Sequence, residues 1–269
     1  MFGRGLVPVS LRESSSRLTA MLGFLRSLGC EEALLLHVVS GASGNRSRRR
    51  LEALCAEVDA GIPLDTKVVA GSPATEIVRC ARTDGADFIA IPWTRKNWLQ
   101  RTLVGSTTRD VVRLSDHPVF IYKNDRVEET APTVLYATAL GQGDELVLPL
   151  FESAGIRADR LILLHVGRRA PDPRAEQSRK AAVITSLDEL ARRCEVMVPD
   201  RTVDPRDVTG SPRQQIVRTA RRENADLVVL AKSERTGELS DILGSTAEAV
   251  AYNARQSVLI VGGEPDHGR

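Results

Sequence analysis

The chain has 269 residues, with 37 basic and 35 acidic side chains, a formal net charge of +2 and 42% hydrophobic residues. This composition is typical of a packed globular protein, and it argues against wholesale disorder and against an electrostatic surface for nucleic acid or membranes. At roughly 150 residues per domain, the length predicts about two domains.

Strands and helices alternate along the first part of the chain. The predicted order is strand Leu6–Val9, helix Glu13–Leu28, strand Ala33–Val39, helix Arg46–Ala60, strand Thr66–Ala70, helix Pro73–Thr83, strand Phe88–Pro92, helix Thr107–Leu114 and strand Val119–Tyr122. The first helix is indicated by apolar residues at the spacing of one helix face, and the second strand by a continuous apolar run. Regular alternation of this kind predicts a parallel sheet with helices on both faces.

The rest of the chain, from Val134, repeats this order. The sequence Leu-His-Val around His37 recurs around His165, 128 residues later. Later motifs recur at a constant offset of 139 residues: Gly71-Ser72-Pro73 at Gly210-Ser211-Pro212, Ala86-Asp87 at Ala225-Asp226, and Gly105-Ser106-Thr107 at Gly244-Ser245-Thr246. A constant offset indicates an internal repeat. The change from 128 to 139 predicts an insertion of about eleven residues after the second strand of the second repeat.

We therefore predict an α/β fold of two tandem five-stranded parallel-sheet domains with helices on both faces. The first half is assigned to residues 1–126 and the second half to residues 133–269, with a polar linker over Asn124–Pro132. In such sheets ligands bind beyond the carboxyl ends of the strands, where the strand order reverses.

Several classes of protein do not fit the sequence. Its apolar runs are of strand length, well below the roughly 20 residues of a transmembrane helix, and no apolar leader is recognised near Met1. The cysteines are scattered singly, at Cys30, Cys55, Cys80 and Cys194. Such spacing favours buried thiols in a reducing compartment over a zinc site. We expect a cytoplasmic protein without a bound metal.

The repeated motifs occur in a characteristic order. Leu-His-Val ends strand two, Gly-Ser-Pro precedes helix three, Ala-Asp opens strand four, and Gly-Ser precedes helix four. This arrangement resembles the universal stress protein family. The resemblance implies an adenine nucleotide alpha hydrolase-like, or Rossmann-like, fold, with ATP or AMP as the ligand where one binds. It also implies pairing through the last strands, so we expect the two halves to pair within the chain and the chain to form a homodimer.

The nucleotide-binding branch of that family carries a glycine pattern after strand four. Its two earlier glycines are replaced by Pro92 and Arg95 in the first half, and by Ala231 and Glu234 in the second. Only the final Gly-Ser of the pattern remains in each half. The resemblance therefore implies degenerate nucleotide-binding motifs in both halves.

Three further groups of residues are candidates for ligand contact. ATP-binding members carry an Asp at the end of strand one, where this sequence has Ser10 and Ala139. Gly105-Ser106-Thr107 and Gly244-Ser245-Thr246 stand at helix starts, where hydroxyls and free N–H groups can bind a phosphate. The alternative is that these hydroxyls cap their helices without a ligand.

The loop after strand four of the first half is basic and aromatic. It includes Trp93, Arg95 and Lys96, and it holds both tryptophans of the chain. An aromatic ring can stack on a base, and cations can pair with phosphate. The alternative is packing or a protein contact, since Trp and Arg are favoured interface residues.

Other motifs have simpler interpretations. Gly141-Gln142-Gly143 is explained by a strand-to-helix turn, and the run Arg46–Arg50 by a solvated helix, although four arginines can also contact an acidic partner. His37 and His165 have no nucleophile or metal ligand at a repeated spacing, so we expect them to form hydrogen bonds near strand ends.

The functional prediction is a non-catalytic stress-response protein that acts by binding and association with a protein partner. The alternative is an adenine-nucleotide sensor or slow ATPase that uses the first-half site. An adenylyl-transferring enzyme is disfavoured because strand one leads into Ser10-Leu11-Arg12-Glu13 rather than a Ser-Gly-Gly loop, and no GxxxxGK[ST] motif is present.

Overall fold

A computed structural model describes residues 2–39, 44–93, 106–123, 132–151, 156–197, 201–232 and 245–262. In the first half the elements are β1 (Arg4–Pro8), α1 (Ser15–Ser27), β2 (Glu32–Val39), α2 (Gly44–Ala56), β3 (Leu64–Ala70), α3 (Pro73–Thr83), β4 (Phe88–Pro92), α4 (Ser106–Leu114) and β5 (Val119–Tyr122). The predicted order of elements is confirmed.

The second half follows the same order. Its elements are β6 (Thr133–Thr138), α5 (Gly143–Val147) with a 3-10 turn over Leu148–Phe151, β7 (Arg160–Gly167), α6 (Pro173–Met197), β8 (Thr202–Thr209), α7 (Pro212–Arg222), β9 (Leu227–Ala231), α8 (Ser245–Asn253) and β10 (Ser257–Val261). The predicted insertion lies in α6, which has 25 residues where α2 has 13.

Helix ends differ from the predicted ones by a few residues. α1 begins at Ser15 because the Ser14 hydroxyl accepts the backbone N–H of Arg17. α2 ends at Ala56 rather than Ala60, closed by tighter i→i−3 hydrogen bonds from the N–H groups of Glu57 and Val58.

All ten strands form one sheet, in the order β3-β2-β1-β4-β5-β10-β9-β6-β7-β8. Neighbouring strands are parallel within each half, and β5 pairs with β10 in the antiparallel direction, with Leu259 opposite Phe120. The two predicted sheets are therefore continuous. Apolar residues pack on both faces, with α1, α2, α5 and α6 covering one and α3, α4, α7 and α8 the other.

The two halves are related by a pseudo-two-fold axis at the β5–β10 contact. Phe120 and Leu259 are equivalent residues of the repeat, and they face each other across this axis. Arg109 of α4 and Glu248 of α8 are also equivalent residues, and their side chains form an ion pair at 3.5 Å. Since equivalent residues meet here, two copies of the first half would bring Arg109 against Arg109. The charges thus favour pairing of unlike halves.

Two lysines connect the halves in a reciprocal way. Lys123, after β5, donates to the carbonyls of Ala251 and Ala254 at the end of α8, the latter at 2.9 Å. Lys232, after β9, donates to the carbonyl of Arg113 in the last turn of α4 at 2.8 Å. Each ammonium thus meets the negative end of a helix dipole in the other half.

Charge reversal at the axis is expected to destabilise the chain modestly. Arg109→Glu places two carboxylates together, and because both partners are more than 40% exposed we expect a cost of about 0.5–1 kcal/mol in the free energy of unfolding. Urea denaturation measures it. The double variant Arg109→Glu/Glu248→Arg should recover most of the loss, and equal losses in the single and double variants would contradict the pairing.

An ion network lies at the β8 edge of the sheet. Arg206 contacts Asp204 at 2.7 Å and Glu223 at 2.6 Å, and Arg160 contacts both acids. Hydrogen bonds from Arg206 and Arg222 lower the pKa of Glu223 from its ordinary value of 4.5 to about 2. A depressed carboxyl pKa contributes stability above the unfolded value that is lost as the pH falls.

We therefore expect the free energy of unfolding to fall between about pH 4.5 and pH 2. Glu223→Gln should be less stable than the unsubstituted chain at pH 7, and its stability should fall less steeply over this window. Denaturant titrations at pH 7, 5, 4 and 3 measure both effects. Parallel pH profiles for the two proteins would contradict the assignment.

Candidate functional site

A cavity of about 440 Å³ opens in the second half at the carboxyl ends of β6, β7 and β9. β6 lies between β7 and β9, so the cavity is at the point where the strand order reverses. Its walls are the end of β6 and the following turn, Pro212 and Ile216 of α7, Lys232 after β9, and Thr246 and Ala247 of α8. This second-half cavity is in the position expected of a ligand site.

Small residues leave room for the cavity. The strand registers make Gly141 and Gly143 equivalent to Arg12 and Ser14 of the first half, since β1 on β4 matches β6 on β9. A Cβ atom at Gly143 would lie 2.7 Å from the Cβ of Ala231. The glycine therefore allows the turn to approach β9 closely. The Gly-Gln-Gly sequence, predicted to be only a turn, lines the cavity.

A buried carboxylate lies beside this turn. Asp144, in the first turn of α5, is 9% exposed and lines the cavity. Its Oδ1 accepts hydrogen bonds from the hydroxyls of Tyr136 and of Thr138, the second at 2.7 Å. Burial and the Asp144 charge raise the pKa of Tyr136. Asp144 thus holds two strand side chains in place, and the Thr138 oxygen in turn accepts the N–H of Leu140 at 2.8 Å.

Lys232 is one of the described residues that line the cavity, and its ammonium donates to the Arg113 carbonyl. Thr246, one of the predicted phosphate-binding residues, also lines it, in the first turn of α8. An ammonium, a hydroxyl and the N-terminal end of a helix all favour a negatively charged group. The same lining also contains the Asp144 carboxylate, so groups of both signs are present.

The equivalent region of the first half is built differently. The N–H of Ser10 donates to the Glu13 carboxylate at 3.0 Å, and the Ser10 hydroxyl donates to it at 2.8 Å. The N–H of Arg12 also donates to this carboxylate, at 3.1 Å. The Glu13 carboxylate thus engages the N–H and hydroxyl of Ser10, the residue that was predicted to contact a nucleotide. A negative charge here disfavours an anion at Ser10.

Trp93 makes structural contacts at the end of β4. Pro92, at the position of Ala231, is buried in the strand. The backbone N–H of Trp93 donates to the Tyr122 carbonyl at 2.9 Å, and the Trp93 carbonyl accepts a hydrogen bond from the Arg17 guanidinium. The Lys123 ammonium lies 5.3 Å from the centre of its ring. These contacts are those of a packed residue at the junction of the halves.

The remaining predicted residues have the following places. Ser106 opens α4 and is exposed, Thr107 is half-buried, and Ser245 opens α8. Arg95, Lys96, Gly105 and Gly244 lie outside the described residues. The ligand-contact role of this group stays a prediction.

In the part of the chain that the structure describes, no histidine or cysteine is among the residues that line the cavity. Nδ1 of His37 lies 2.8 Å from the Val9 carbonyl, and Nδ1 of His165 lies 3.3 Å from the Thr138 carbonyl, as expected for strand-end hydrogen bonds. Burial raises the pKa of Cys30 and of Cys194 to about 11, which keeps both thiols protonated. Within the described ranges no cluster of three metal-ligating side chains is found, and no helix there is long and apolar enough to cross a membrane.

Comparisons with known proteins agree with this architecture. The model of the universal stress protein family matches residues 6–123 and 132–262. A universal stress protein of Methanocaldococcus jannaschii is 26% identical over 155 residues, covering 46% of this chain and 96% of that protein.

Two solved structures share the whole fold. A universal stress protein from Archaeoglobus fulgidus has a TM-score of 0.70 at 21% identity, covering 100% of this chain and 98% of the other. A putative universal stress protein from Pseudomonas aeruginosa has a TM-score of 0.68 at 17% identity, covering 97% of this chain and 93% of the other. Both likenesses concern the fold.

Proposed function

This chain belongs to the universal stress protein family, and on that basis we propose that it is a non-catalytic stress-response protein whose second half binds an adenine nucleotide. The observation that carries the proposal is the second-half cavity with Lys232 and Thr246 in its walls. The proposal moves the ligand from the first half, where the sequence placed the stronger candidates, to the second.

The size and lining of the cavity support a small ligand. Its volume of about 440 Å³ falls within the range of roughly 300–1,000 Å³ that is usual for small-molecule sites. Apolar walls from Val166, Ile216 and Leu230 suit a flat base, while Lys232 and Thr246 suit a phosphate. The family resemblance supplies the adenine nucleotide as the matching class.

The chemistry of the lining supports binding rather than catalysis. Among the described residues around the cavity there is no histidine or cysteine. The carboxylate of Asp144 accepts hydrogen bonds from two hydroxyls of β6, which is a structural use of that group. We assign the Thr138–Asp144 pair of hydroxyl and carboxylate a structural use as well, because the Thr138 oxygen also accepts the backbone N–H of Leu140.

The proposal is tested on the purified full chain. It is denatured, and the supernatant is examined by liquid chromatography and mass spectrometry for bound nucleotide; the nucleotide-free chain is then titrated with AMP and ATP by calorimetry. We expect one nucleotide per chain and no conversion of ATP to ADP during prolonged incubation. Failure to bind either nucleotide at millimolar concentration would overturn the binding proposal, and steady ADP release would overturn its non-catalytic part.

Association with other proteins is a second part of the proposal. Arg46, Arg49 and Arg50 lie on one side of α2 around a shallow surface depression, which favours an acidic partner. A homodimer of the chain is the other expected association. Sedimentation equilibrium distinguishes the 29.3 kDa chain from a species of twice that mass, and a concentration-independent single-chain mass would contradict the homodimer.

A further inference from the structure

Strand β3 is an open edge of the ten-stranded sheet. The N–H of Ala33 in β2 donates to the Pro63 carbonyl, and the N–H of Gly71 donates to the Val39 carbonyl, both at 3.0 Å. Odd-numbered residues of this strand thus direct their backbone groups toward β2, and even-numbered residues direct theirs outward. The outward residues of β3 are Leu64, Thr66, Val68 and Ala70. Within the described part of the chain, their N–H and carbonyl groups have no hydrogen-bond partner.

The other edge, β8, is closed to pairing. The N–H of Gly210 donates to β7, so even-numbered residues of β8 face inward and Pro205 is at an outward position, where it has no N–H to donate. The outward Thr209 carbonyl accepts the Gln215 side-chain amide at 3.4 Å. Such features keep an edge strand from pairing with another chain. At the constant offset of 139 residues, the residue of β3 that matches Pro205 is Thr66, which has an N–H to donate.

We propose that β3 pairs with β3 of a second copy of this chain in the antiparallel direction, with Thr66 on the two-fold axis between the copies. The ten-stranded sheet of each chain then continues into that of the other. Outward N–H and carbonyl groups along an exposed strand are a template for such pairing, and a two-fold contact uses the same surface of both copies. The inference rests on the homodimer of the proposed function and names its interface.

Charge selects the register of this pairing. The outward backbone groups of one strand must meet those of the other, and this condition is met when Thr66 lies opposite Thr66. Asp65 of each copy is then opposite Lys67 of the other, and opposite charges across an antiparallel pair are stabilising. Their side chains are 71% and 34% exposed, and Lys67 also contacts Asp84 at 2.7 Å. The next allowed register in either direction places Lys67 against Lys67 or Asp65 against Asp65.

Apolar side chains complete the register on the other face of β3. Leu64 and Val68 are half-buried and pack at the margin of the core that α2 covers. With Thr66 on the axis, Leu64 of each copy lies opposite Val68 of the other. Cross-strand neighbours of this kind stabilise an antiparallel pair. One face of the contact is thus apolar, and the other carries balanced charges.

The first experiment removes the outward N–H at the axis. Thr66→Pro gives β3 the residue that β8 has at the matching position, and it breaks no hydrogen bond to β2. Thr66→Val is the matched control, because it removes the hydroxyl and keeps the N–H. Sedimentation of the full chain over a wide range of concentrations gives the dissociation constant of the homodimer. We expect this constant to rise at least tenfold in Thr66→Pro and to stay nearly unchanged in Thr66→Val.

The second experiment tests the register by a disulfide. Cα atoms of a hydrogen-bonded antiparallel pair are about 5.5 Å apart, which is within disulfide range. Thr66→Cys should therefore give a species of twice the chain mass after mild oxidation, seen by non-reducing electrophoresis. Ala70→Cys is equally outward and exposed, but in this register the two copies of residue 70 are roughly 27 Å apart. It should cross-link no more than the unsubstituted chain.

The outcomes separate the interface from the homodimer itself. Equal cross-linking of Thr66→Cys and Ala70→Cys would overturn this inference. An unchanged dissociation constant in folded Thr66→Pro would also overturn it and leave the homodimer standing. A single-chain mass of the full chain at every concentration would overturn both, while the proposed nucleotide binding is tested separately.

Discussion

Gly141→Leu is expected to weaken AMP binding by at least tenfold and to leave the melting temperature close to that of the unsubstituted chain. Gly141 lines the second-half cavity, and no atom lies within 4 Å of the place where its Cβ would be. A leucine side chain there can therefore extend into the proposed ligand space without displacing neighbouring protein atoms. Calorimetric titration and thermal unfolding measure the two quantities.

Arg12→Leu provides the control at the equivalent position of the first half. Arg12 is exposed, and the contact that its backbone N–H makes with Glu13 does not depend on its side chain. We expect this variant to bind AMP normally. If Gly141→Leu bound AMP as well as the full chain while Arg12→Leu did not, the nucleotide would lie in the first half.

Asp144→Ala is expected to lower the free energy of unfolding by about 2–3 kcal/mol. The change leaves the hydroxyls of Tyr136 and Thr138 without their acceptor, and an unsatisfied buried polar group costs about 1–3 kcal/mol. The Tyr136 side chain is fully buried, so leaving its hydroxyl without an acceptor costs more free energy than leaving the Thr138 hydroxyl without one. Urea denaturation at neutral pH measures the loss.

Tyr136→Phe combined with Asp144→Ala separates the hydrogen bond from packing. The double variant removes donor and acceptor together, so its loss should be smaller than the sum of the two single losses. The first half shows that an apolar solution is available, since Val7 and Val9 stand where the second half has Tyr136 and Thr138. Strict additivity of the two losses would contradict the hydrogen-bonded role of Asp144.

Much of the fold could be predicted because it repeats. The apolar strands and the constant offset determine the order of elements, and Ser10 and Ala139 are indeed equivalent. Each is followed by a leucine with positive φ, Leu11 at 61° and Leu140 at 55°. The shared backbone bend shows that strand one ends in the same way in both halves, although neither half has the expected Asp.

The cavity could not be predicted, because it depends on the lack of large side chains in several separate segments. Gly143 and Ala231 are far apart in sequence, and their close approach appears only when β6 and β9 lie side by side. α5 is also only five residues long, whereas the repeat predicted a helix like α1. A lone Gly-Gln-Gly sequence did not distinguish a simple turn from a cavity wall.

The unlike residues at the pseudo-two-fold axis have a consequence for dose response. A two-fold pair of identical halves offers two equal sites, which can be coupled to give a steep, cooperative response. Here Lys232 and Trp93 occupy equivalent positions, and the second-half cavity lies in the half that carries the lysine. Under the proposed function, we expect a single chain to take up one nucleotide, with a hyperbolic isotherm and a Hill coefficient of about 1. Such a protein reports ligand concentration in a graded way rather than as a switch.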